Sequence, residues 1–217
     1  GKWNRLRTGT PAPPSSYGDT LIYLPARKQA FFAHRSSDVW LYDIPANQWK
    51  HVDAKGPKPP FGIDATACYD PQRERIYQGG GSYPVTPSGT NAFWIYDLNS
   101  QRWIDPKPKG APCKGSTSYP TKNALMLYDS TNDVVLLVVH SFFGSSKETL
   151  GVYVYDPNTH SWGTETLTIP DKLGGNNKPK NGFYDPALNA VFVHTAGDSN
   201  DDGNIWVYRY KGKRAKW

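Results

Sequence analysis

Residues 92–103 read AFWIYDLNSQRW, and two close variants occur elsewhere in the chain. Residues 38–49 read DVWLYDIPANQW, and residues 151–162 read GVYVYDPNTHSW. In each stretch an apolar strand pattern ends in Tyr-Asp, and a Trp follows that Tyr by seven residues. The Asp, Asn and Pro residues between them favour a tight turn. Each stretch therefore predicts two antiparallel strands joined by a turn.

A second marker lies between these stretches, where a Tyr ends one apolar segment and a polar turn leads to another. Examples are ACYDPQRERIYQGG and GFYDPALNAVFVHT. Together the two markers predict four strands per unit, in repeats of approximately 3–48, 49–102, 103–161 and 162–217. Four-stranded units that recur every ~50 residues are typical of an all-β β-propeller, with four blades visible here. The recurring Tyr and Trp are expected to pack between neighbouring blades.

The pattern resembles the Kelch repeat family. The matching features are the Gly-Gly of RIYQGGG, the Tyr-Asp of FWIYDLNSQRW and the Trp six residues after that Asp. The other repeats depart at the double glycine, where they read FFAHRSS, VVHSFFG and FVHTAGD. The resemblance implies a binding function, since Kelch propellers mostly bind partners, while a minority are secreted enzymes such as the galactose oxidase group. The copper-ligand pattern of that group is not visible in this sequence.

The number of repeats leaves the organisation of the ring open. The four blades are expected either to be part of a longer propeller, or to close alone or by pairing with another copy. The sequence contains no run of about 18 apolar residues, so it predicts no membrane-spanning helix. The net charge of +6 is a modest bias that does not by itself indicate nucleic acid.

The two cysteines, Cys68 and Cys113, lie outside any CxxC pair, which argues against a zinc knuckle or a thioredoxin-type motif. They are expected to be buried small apolar residues. The alternative is a disulfide across neighbouring repeats in a secreted chain.

Polar residues that follow the predicted second strands are candidate metal ligands: His34, Gln78, His140 and His194. We expect them at equivalent positions of different blades, as a partial crown around the axis. Imidazole nitrogens and an amide oxygen could bind a divalent metal there. The alternative interpretation is that each packs at a strand end beside an aromatic residue.

A calcium loop is a second candidate. Asp198, Asn200, Asp202 and Gly203 follow the spacing D-x-N-x-D-G, which directs alternate oxygens inward. The twelfth position is Arg209, where an EF-hand would place Glu, so the segment is no EF-hand. The alternative is a polar hairpin loop rich in turn-forming residues.

Basic residues in the connections between blades form the third candidate site: Lys55, Lys58, Lys107, Lys109, Lys114, Lys172, Lys178 and Lys180. Arg35 and the aromatic residues Tyr83, Phe142 and Phe143 are expected to lie on the same loop face. Such a face favours a binding module that recognises a protein or an anionic glycan. The alternatives are that the lysines only provide solubility and protect strand edges, and that the chain is part of a secreted carbohydrate-active enzyme, a lyase or an oxidase, acting on acidic polysaccharide.

Overall fold

The protein is described from a computed structural model. The structure describes residues 3, 7, 11–14, 20–33, 37–59, 65–79, 93–110, 124–140, 150–163, 178–196 and 203–211. The side chains of His140, Lys178 and Lys180 are outside this description. In the described residues the regular structure is strand throughout, apart from one 3-10 turn at Pro25–Arg27. That part of the chain contains no helix long and apolar enough to cross a bilayer.

The strands form four antiparallel sheets that follow one another along the chain, and these are the four blades of a β-propeller. Blade 1 contains β1 (Thr20–Leu24), β2 (Gln29–Ala33), β3 (Val39–Asp43) and β4 (Gln48–Val52). Blade 2 contains β5 (Thr66–Asp70), β6 (Arg75–Gly79), β7 (Phe93–Asp97) and β8 (Arg102–Ile104). Blade 3 contains β9 (Leu125–Asp129), β10 (Val134–His140), β11 (Leu150–Asp156) and β12 (Ser161–Gly163). Blade 4 contains β13 (Lys178–Asp185), β14 (Ala190–Ala196) and β15 (Asn204–Tyr208) within the described residues. The predicted all-β propeller class is confirmed.

Consecutive blades pack face to face, and β10 shows why its sequence is apolar throughout. Side chains alternate between the two faces of a strand. Val135, Leu137 and Val139 therefore belong to a core shared with blade 2. Val134 and Leu136, with their neighbours, belong to a core shared with blade 4. A strand that is buried on both faces needs an apolar residue at every step.

The first strands of the blades lie innermost. β1 contacts β5, β5 contacts β9, and β9 contacts β13, while each fourth strand lies at the outside of its sheet. The predicted role of the repeated aromatics is confirmed at Trp103 and Trp162, which are buried against the preceding blade. The prediction is wrong for Trp3, the aromatic residue at the start of the first predicted repeat, because Trp3 is fully exposed.

The turns explain the repeated Tyr-Asp. In blade 2 the Asp70 carboxylate accepts hydrogen bonds from the backbone N–H groups of Gln72 and Arg73, at 2.8 and 3.1 Å. The turn ends at Glu74, which has a left-handed conformation with φ of 52°. The Tyr69 hydroxyl hydrogen-bonds to the Glu74 carboxylate. The same link between a Tyr and the residue five positions later joins Tyr42 to Asn47, Tyr128 to Asp133, Tyr155 to His160 and Tyr184 to Asn189.

Cys68 is buried in the core between blades 2 and 3 and is a free thiol. Burial, with a smaller contribution from the Asp70 carboxylate, raises its pKa well above the usual value. For Cys68 the prediction of a buried small apolar residue is confirmed, whereas Cys113 lies outside the described residues.

Candidate functional site

The two rims of the propeller differ in the length of their connections. Strands alternate in direction, so the first-to-second and third-to-fourth connections lie at one rim, and all others lie at the opposite rim. At the first rim, called the turn rim, every connection between described strands is a turn of four residues: 25–28, 44–47, 71–74, 98–101, 130–133, 157–160 and 186–189. At the other, called the loop rim, the connections have five to twenty residues: 34–38, 53–65, 80–92, 105–124, 141–149, 164–177 and 197–203. Surface that differs between blades is therefore concentrated in the loop-rim connections.

The His/Gln crown was predicted because its residues were expected at equivalent positions of their blades, and the strand pairing does not place three of them so. The strand pairs place Gln29, Arg75, Val134 and Ala190 at one equivalent step, because each pairs with the last residue of the first strand of its blade. Counted from that step, Gln78 is three residues along, His194 four and His140 six. The expectation of equivalent positions is wrong for these three residues. The physical reason is that strand pairing sets equivalence, and Gln78 is the fourth residue of β6, whereas His194 and His140 are the fifth and the seventh residues of their strands.

Gln78 and His194 also differ in their surroundings. Gln78 is buried, and its side-chain oxygen has no hydrogen-bond partner among the described residues. The side chain of His194 is partly buried and lies against Gly203, where a Cβ would approach the imidazole Nε2 to 2.3 Å. A strand alternates its faces, so residues three and four steps along point to opposite sides of their sheets. A shared metal at Gln78 and His194 has no geometric support in these contacts.

The other candidate ligands lie outside the description. His34, Asp198, Asn200 and Asp202 are not among the described residues, and only the backbone of His140 is. In the described ranges, no group of three His, Cys, Asp or Glu side chains could hold a metal ion. The divalent-metal and calcium sites stay predictions.

Two of the predicted lysines occupy equivalent positions beside successive blades. The Lys55 N–H donates to the Gln101 carbonyl, and the Lys55 carbonyl accepts from the Trp103 N–H, both at 2.9 Å. One blade further, Lys109 makes the same two bonds with His160 and Trp162, again at 2.9 Å. Each lysine thus forms a short parallel bridge with the outermost strand of the next blade. Their backbones are fixed, and both side chains are exposed.

A glycine follows each of these lysines and permits the close approach. Gly56 has φ of 87° and Gly110 has φ of 73°, both in the left-handed region. A Cβ on Gly56 would lie 2.4 Å from the Trp103 carbonyl oxygen, and one on Gly110 would lie 3.0 Å from that of Trp162. A Lys-Gly pair that begins six residues after a Trp is therefore a structural signal, which occurs twice in the sequence and which our sequence analysis missed.

The remaining predicted binding residues divide into three groups. Lys58 and Lys107 are exposed beside the two bridged lysines. Lys178 and Lys180 lie within β13 rather than in a connection, which corrects their predicted place, because this first strand has eight residues. The others are not among the described residues: Arg35, Tyr83, Lys114, Phe142, Phe143 and Lys172.

Positive charge is uneven among the loop-rim connections. Connection 105–124 carries four lysines against one aspartate, whereas connection 197–203 carries three aspartates and no basic residue. In connection 53–65 two lysines balance two aspartates. By sequence, the connection that joins blades 2 and 3 therefore has the largest excess of positive charge of these three.

The turn rim carries a polar clasp between blades that the sequence analysis did not anticipate. Arg73 of blade 2 reaches blade 3, where it donates two hydrogen bonds to the Asp133 carboxylate at 2.5 and 2.6 Å. It also donates to the Asn158 side chain at 2.8 Å. The hydrogen bonds from Arg73, aided by Tyr128, hold the pKa of Asp133 far below its usual value.

The same clasp recurs at both neighbouring junctions with different residues. Between blades 1 and 2, Arg27 contacts Glu74 and Asn99 from the equivalent positions. Burial alone would raise the pKa of the Glu74 carboxyl, but hydrogen bonds from Tyr69 and Arg27 lower this pKa below its usual value. The sequence signal was a basic residue two positions before the second strand.

Between blades 3 and 4 the clasp is neutral. Asn132 takes the place of the arginine and donates to the Asn189 side chain and the Tyr210 carbonyl, at 3.2 and 3.1 Å. A half-open cavity of about 250 Å³ lies beside Asn132, lined by Asp133 and Lys211 among others.

Comparison with known proteins supports the fold and no family. No protein-family model matches the chain, and no curated protein shows significant sequence similarity to it. The crystal structure of TolB from Acinetobacter baumannii is similar, with a TM-score of 0.52, 10% identity, and coverage of 88% of this chain and 41% of that one. The β-propeller domain of the Trilobed protease from Pyrococcus furiosus has a TM-score of 0.47 at 11% identity, over 89% of this chain and 54% of that one. The chain thus spans about half or less of the length of these two chains, and at such identities the likeness concerns the fold alone.

Proposed function

We propose that the chain is a Kelch-like binding module that recognises an anionic glycan or an acidic protein segment. The proposed contact surface is the basic strip, defined as Lys55, Lys58, Lys107 and Lys109, together with the loop-rim connections to which these residues belong. Propellers suit this role because a rigid scaffold holds variable connections in fixed positions. The clasps at the turn rim and the shared cores supply that rigidity.

The observation that carries the proposal is the repeated placement of Lys55 and Lys109. Backbone hydrogen bonds at both residues fix where each side chain leaves the surface. Less conformational freedom is then lost when a ligand binds, because only the side chains remain to be ordered. In the described residues, none of the strip lysines forms an ion pair with an acidic side chain.

The chemistry of the proposed ligand follows from the repetition of the cations at successive blade junctions. Two equivalent lysines at successive blade junctions match a ligand that repeats its negative charges along its length. A glycan with a carboxylate or sulfate on each repeating unit fits this description, as does an acidic peptide. Both are expected to bind less tightly at high salt, since exposed charges are screened.

The proposal is tested by calorimetric titration with a sulfated polysaccharide, with polyglutamate and with a neutral oligosaccharide. We expect binding of at least one acidic probe at low salt and none of the neutral one. Lys107→Gln together with Lys109→Gln is expected to weaken binding by about tenfold, which corresponds to roughly 0.7 kcal/mol for each lost charge. Lys50→Gln with Lys211→Gln removes the same charge elsewhere and serves as the matched control. Failure of every acidic probe to bind, or an equal loss in the control, would contradict the proposal.

A further inference from the structure

Large exposed apolar side chains collect on the first and last blades. In the described ranges, apart from Trp3, they all belong to blade 1 or blade 4: Leu21, Tyr23, Ile44, Phe183, Leu188, Ile205 and Val207. Leu21 is 65% exposed and Phe183 is 58% exposed. The described parts of blades 2 and 3 have none, because each of these blades is covered on both faces.

The outer face of blade 4 is the face that, in the other blades, packs on the blade that follows. Phe192 occupies the same strand step as Phe31, Tyr77 and Leu136, judged by the pairing registers. Those three residues are 0% exposed, and each contributes to the core shared with the next blade. Phe192 is only partly buried and stacks on the exposed Phe183, with ring centroids 5.0 Å apart. Blade 4 therefore presents an unfilled half of a blade-to-blade contact.

The outer face of blade 1 presents the complementary half of such a blade-to-blade contact. Tyr42 and Trp49 correspond to the Tyr96–Trp103 pair of blade 2, which is buried against blade 1. In blade 1 both aromatics are only partly buried.

The first turn position after β3 shows the same contrast. Ile44 is 44% exposed, whereas its equivalent in blade 2, Leu98, is 3% exposed and packs in the core with blade 1.

The clasp positions at the two ends have changed together. Blade 4 has Leu188 where blades 1 and 2 have Arg27 and Arg73. On the receiving side, blade 1 has Lys28 where the next blades have Glu74 and Asp133, and Pro45 where they have Asn99 and Asn158. An arginine from another blade would meet a like charge at Lys28, which is unfavourable. Leu188 would instead contact the apolar ring of Pro45 and the methylene groups of Lys28. The outer face of blade 4 is therefore compatible with the outer face of blade 1.

We propose that the outer face of blade 4 binds the outer face of blade 1 in a second copy of this chain. Within one chain, no contact between described strands of blades 1 and 4 is as extensive as those between consecutive blades, and the apolar residues of both end faces remain exposed. A second copy supplies both missing halves at once. The contact is head to tail: blade 4 of each copy binds blade 1 of the other copy. The two contacts together close a ring of eight blades.

The first measurement is the mass in solution, by light scattering coupled to gel filtration over a range of concentrations. The expected result is a species of twice the chain mass of 24.2 kDa. A monomer at every concentration up to hundreds of micromolar would overturn the proposal.

A charge exchange tests which faces meet. Leu188→Arg alone places two cations together and is expected to raise the dissociation constant about fivefold or more per contact. Adding Lys28→Glu recreates the clasp formed by Arg73 and Asp133, and it should restore dimerisation to at least the original strength. Glu is compatible with this backbone, since Glu74 has nearly the same φ, 52° against 51°. A double variant that dimerises no better than Leu188→Arg would overturn the head-to-tail contact.

Mixing of blocked variants separates this contact from a symmetric one. Phe183→Lys blocks blade 4, and Tyr23→Lys blocks blade 1; each variant alone should be monomeric, whereas their mixture retains one intact contact and should form heterodimers. Gln72→Lys, an exposed turn position of blade 2, is the control and should dimerise normally. If either blocked variant dimerises alone as well as the wild type does, the proposed pairing of the two different ends is wrong.

Discussion

Replacing Arg73 by Met tests whether the turn-rim clasp holds blades 2 and 3 together. Arg73 donates to Asp70 within its own blade at 2.9 Å, and to Asp133 and Asn158 of the next blade. Met retains much of the apolar stem and removes the guanidinium. The substitution therefore removes the polar contacts while leaving most of the packing in place.

The expected cost follows from the burial of the groups involved. A hydrogen bond to a charged group contributes about 1.5–3 kcal/mol, and the loss of one partner from a fully buried ion pair costs about 3–5 kcal/mol. The side chains of Arg73 and Asp133 are 21% and 30% exposed, so water can partly replace the lost partner. We therefore expect the free energy of unfolding to fall by about 2–4 kcal/mol at neutral pH.

The loss should depend on pH in a stated direction. Arg73 lowers the pKa of Asp133 in the folded protein, below the value of about 3.9 for an unfolded Asp. A carboxyl group with a lowered folded pKa adds stability above its unfolded pKa, and that stability is lost as the pH falls toward the folded pKa. The difference between wild type and variant should thus be constant above about pH 5 and shrink between about pH 4 and pH 2.

Urea unfolding followed by tryptophan fluorescence measures the effect, since Trp162 lies in the core between these two blades. Arg75→Met is the matched control, because Arg75 pairs with Asp97 inside blade 2 at the longer distance of 3.4 Å. It should cost less than about 1 kcal/mol. The reasoning is refuted if Arg73→Met costs no more than this control, or if its cost is the same at pH 3 as at pH 7.

Three further outcomes are expected from single sites. Gly56→Ala should lower the free energy of unfolding by about 2 kcal/mol or more, since the new Cβ meets a carbonyl oxygen at 2.4 Å, and Gly110→Ala should cost less because its contact is 3.0 Å; equal effects in urea unfolding would contradict this. Tyr128→Phe should cost about 1 kcal/mol by losing a 2.7 Å hydrogen bond, whereas Tyr96→Phe should be neutral or stabilising because the Tyr96 hydroxyl is buried without a partner. Cys68 should not react with a thiol reagent in the native protein and should react fully in denaturant, since burial raises its pKa; rapid native labelling would show that the core between blades 2 and 3 opens.

The fold was predictable from the sequence because its signals are local and repeated. The Asp that ends a strand follows from a four-residue turn, in which its carboxylate accepts hydrogen bonds from backbone N–H groups. The Trp seven residues after the third-strand Tyr recurs because Trp103 and Trp162 pack at equivalent places against the preceding blade. The apolar run Val134–Val139 likewise follows from burial on both faces, a property of one strand and its two neighbours.

The candidate site was less predictable, because equivalence between blades is set by pairing register and not by position after an apolar run. His140 ends a seven-residue strand, whereas Gln78 is the fourth residue of a five-residue strand. Gln78 and His140 each follow an apolar run in the sequence, yet their positions differ by three residues when the strands are aligned by their pairing. By contrast, Lys55 and Lys109 each stand six residues after a Trp and directly before a Gly, so the sequence did carry their equivalence, and the shared bridge to the next blade shows it.

The clasp residues show how one repeated position can encode the order of blades as well as their stability. Arg27 and Arg73 can each bind the acidic residue of the blade that follows, and Asn132 binds a neutral residue at the same place. Leu188 at this position would leave an acidic partner unpaired, so blade 4 is unsuited to a neighbour such as blade 2 or blade 3. Its suitable neighbour is a blade without that acid. Of the four blades, only blade 1 has neither an acidic residue nor Asn at the positions that receive the clasp, where it has Lys28 and Pro45. The same change that removes a charge from the last blade therefore selects the surface it can bind.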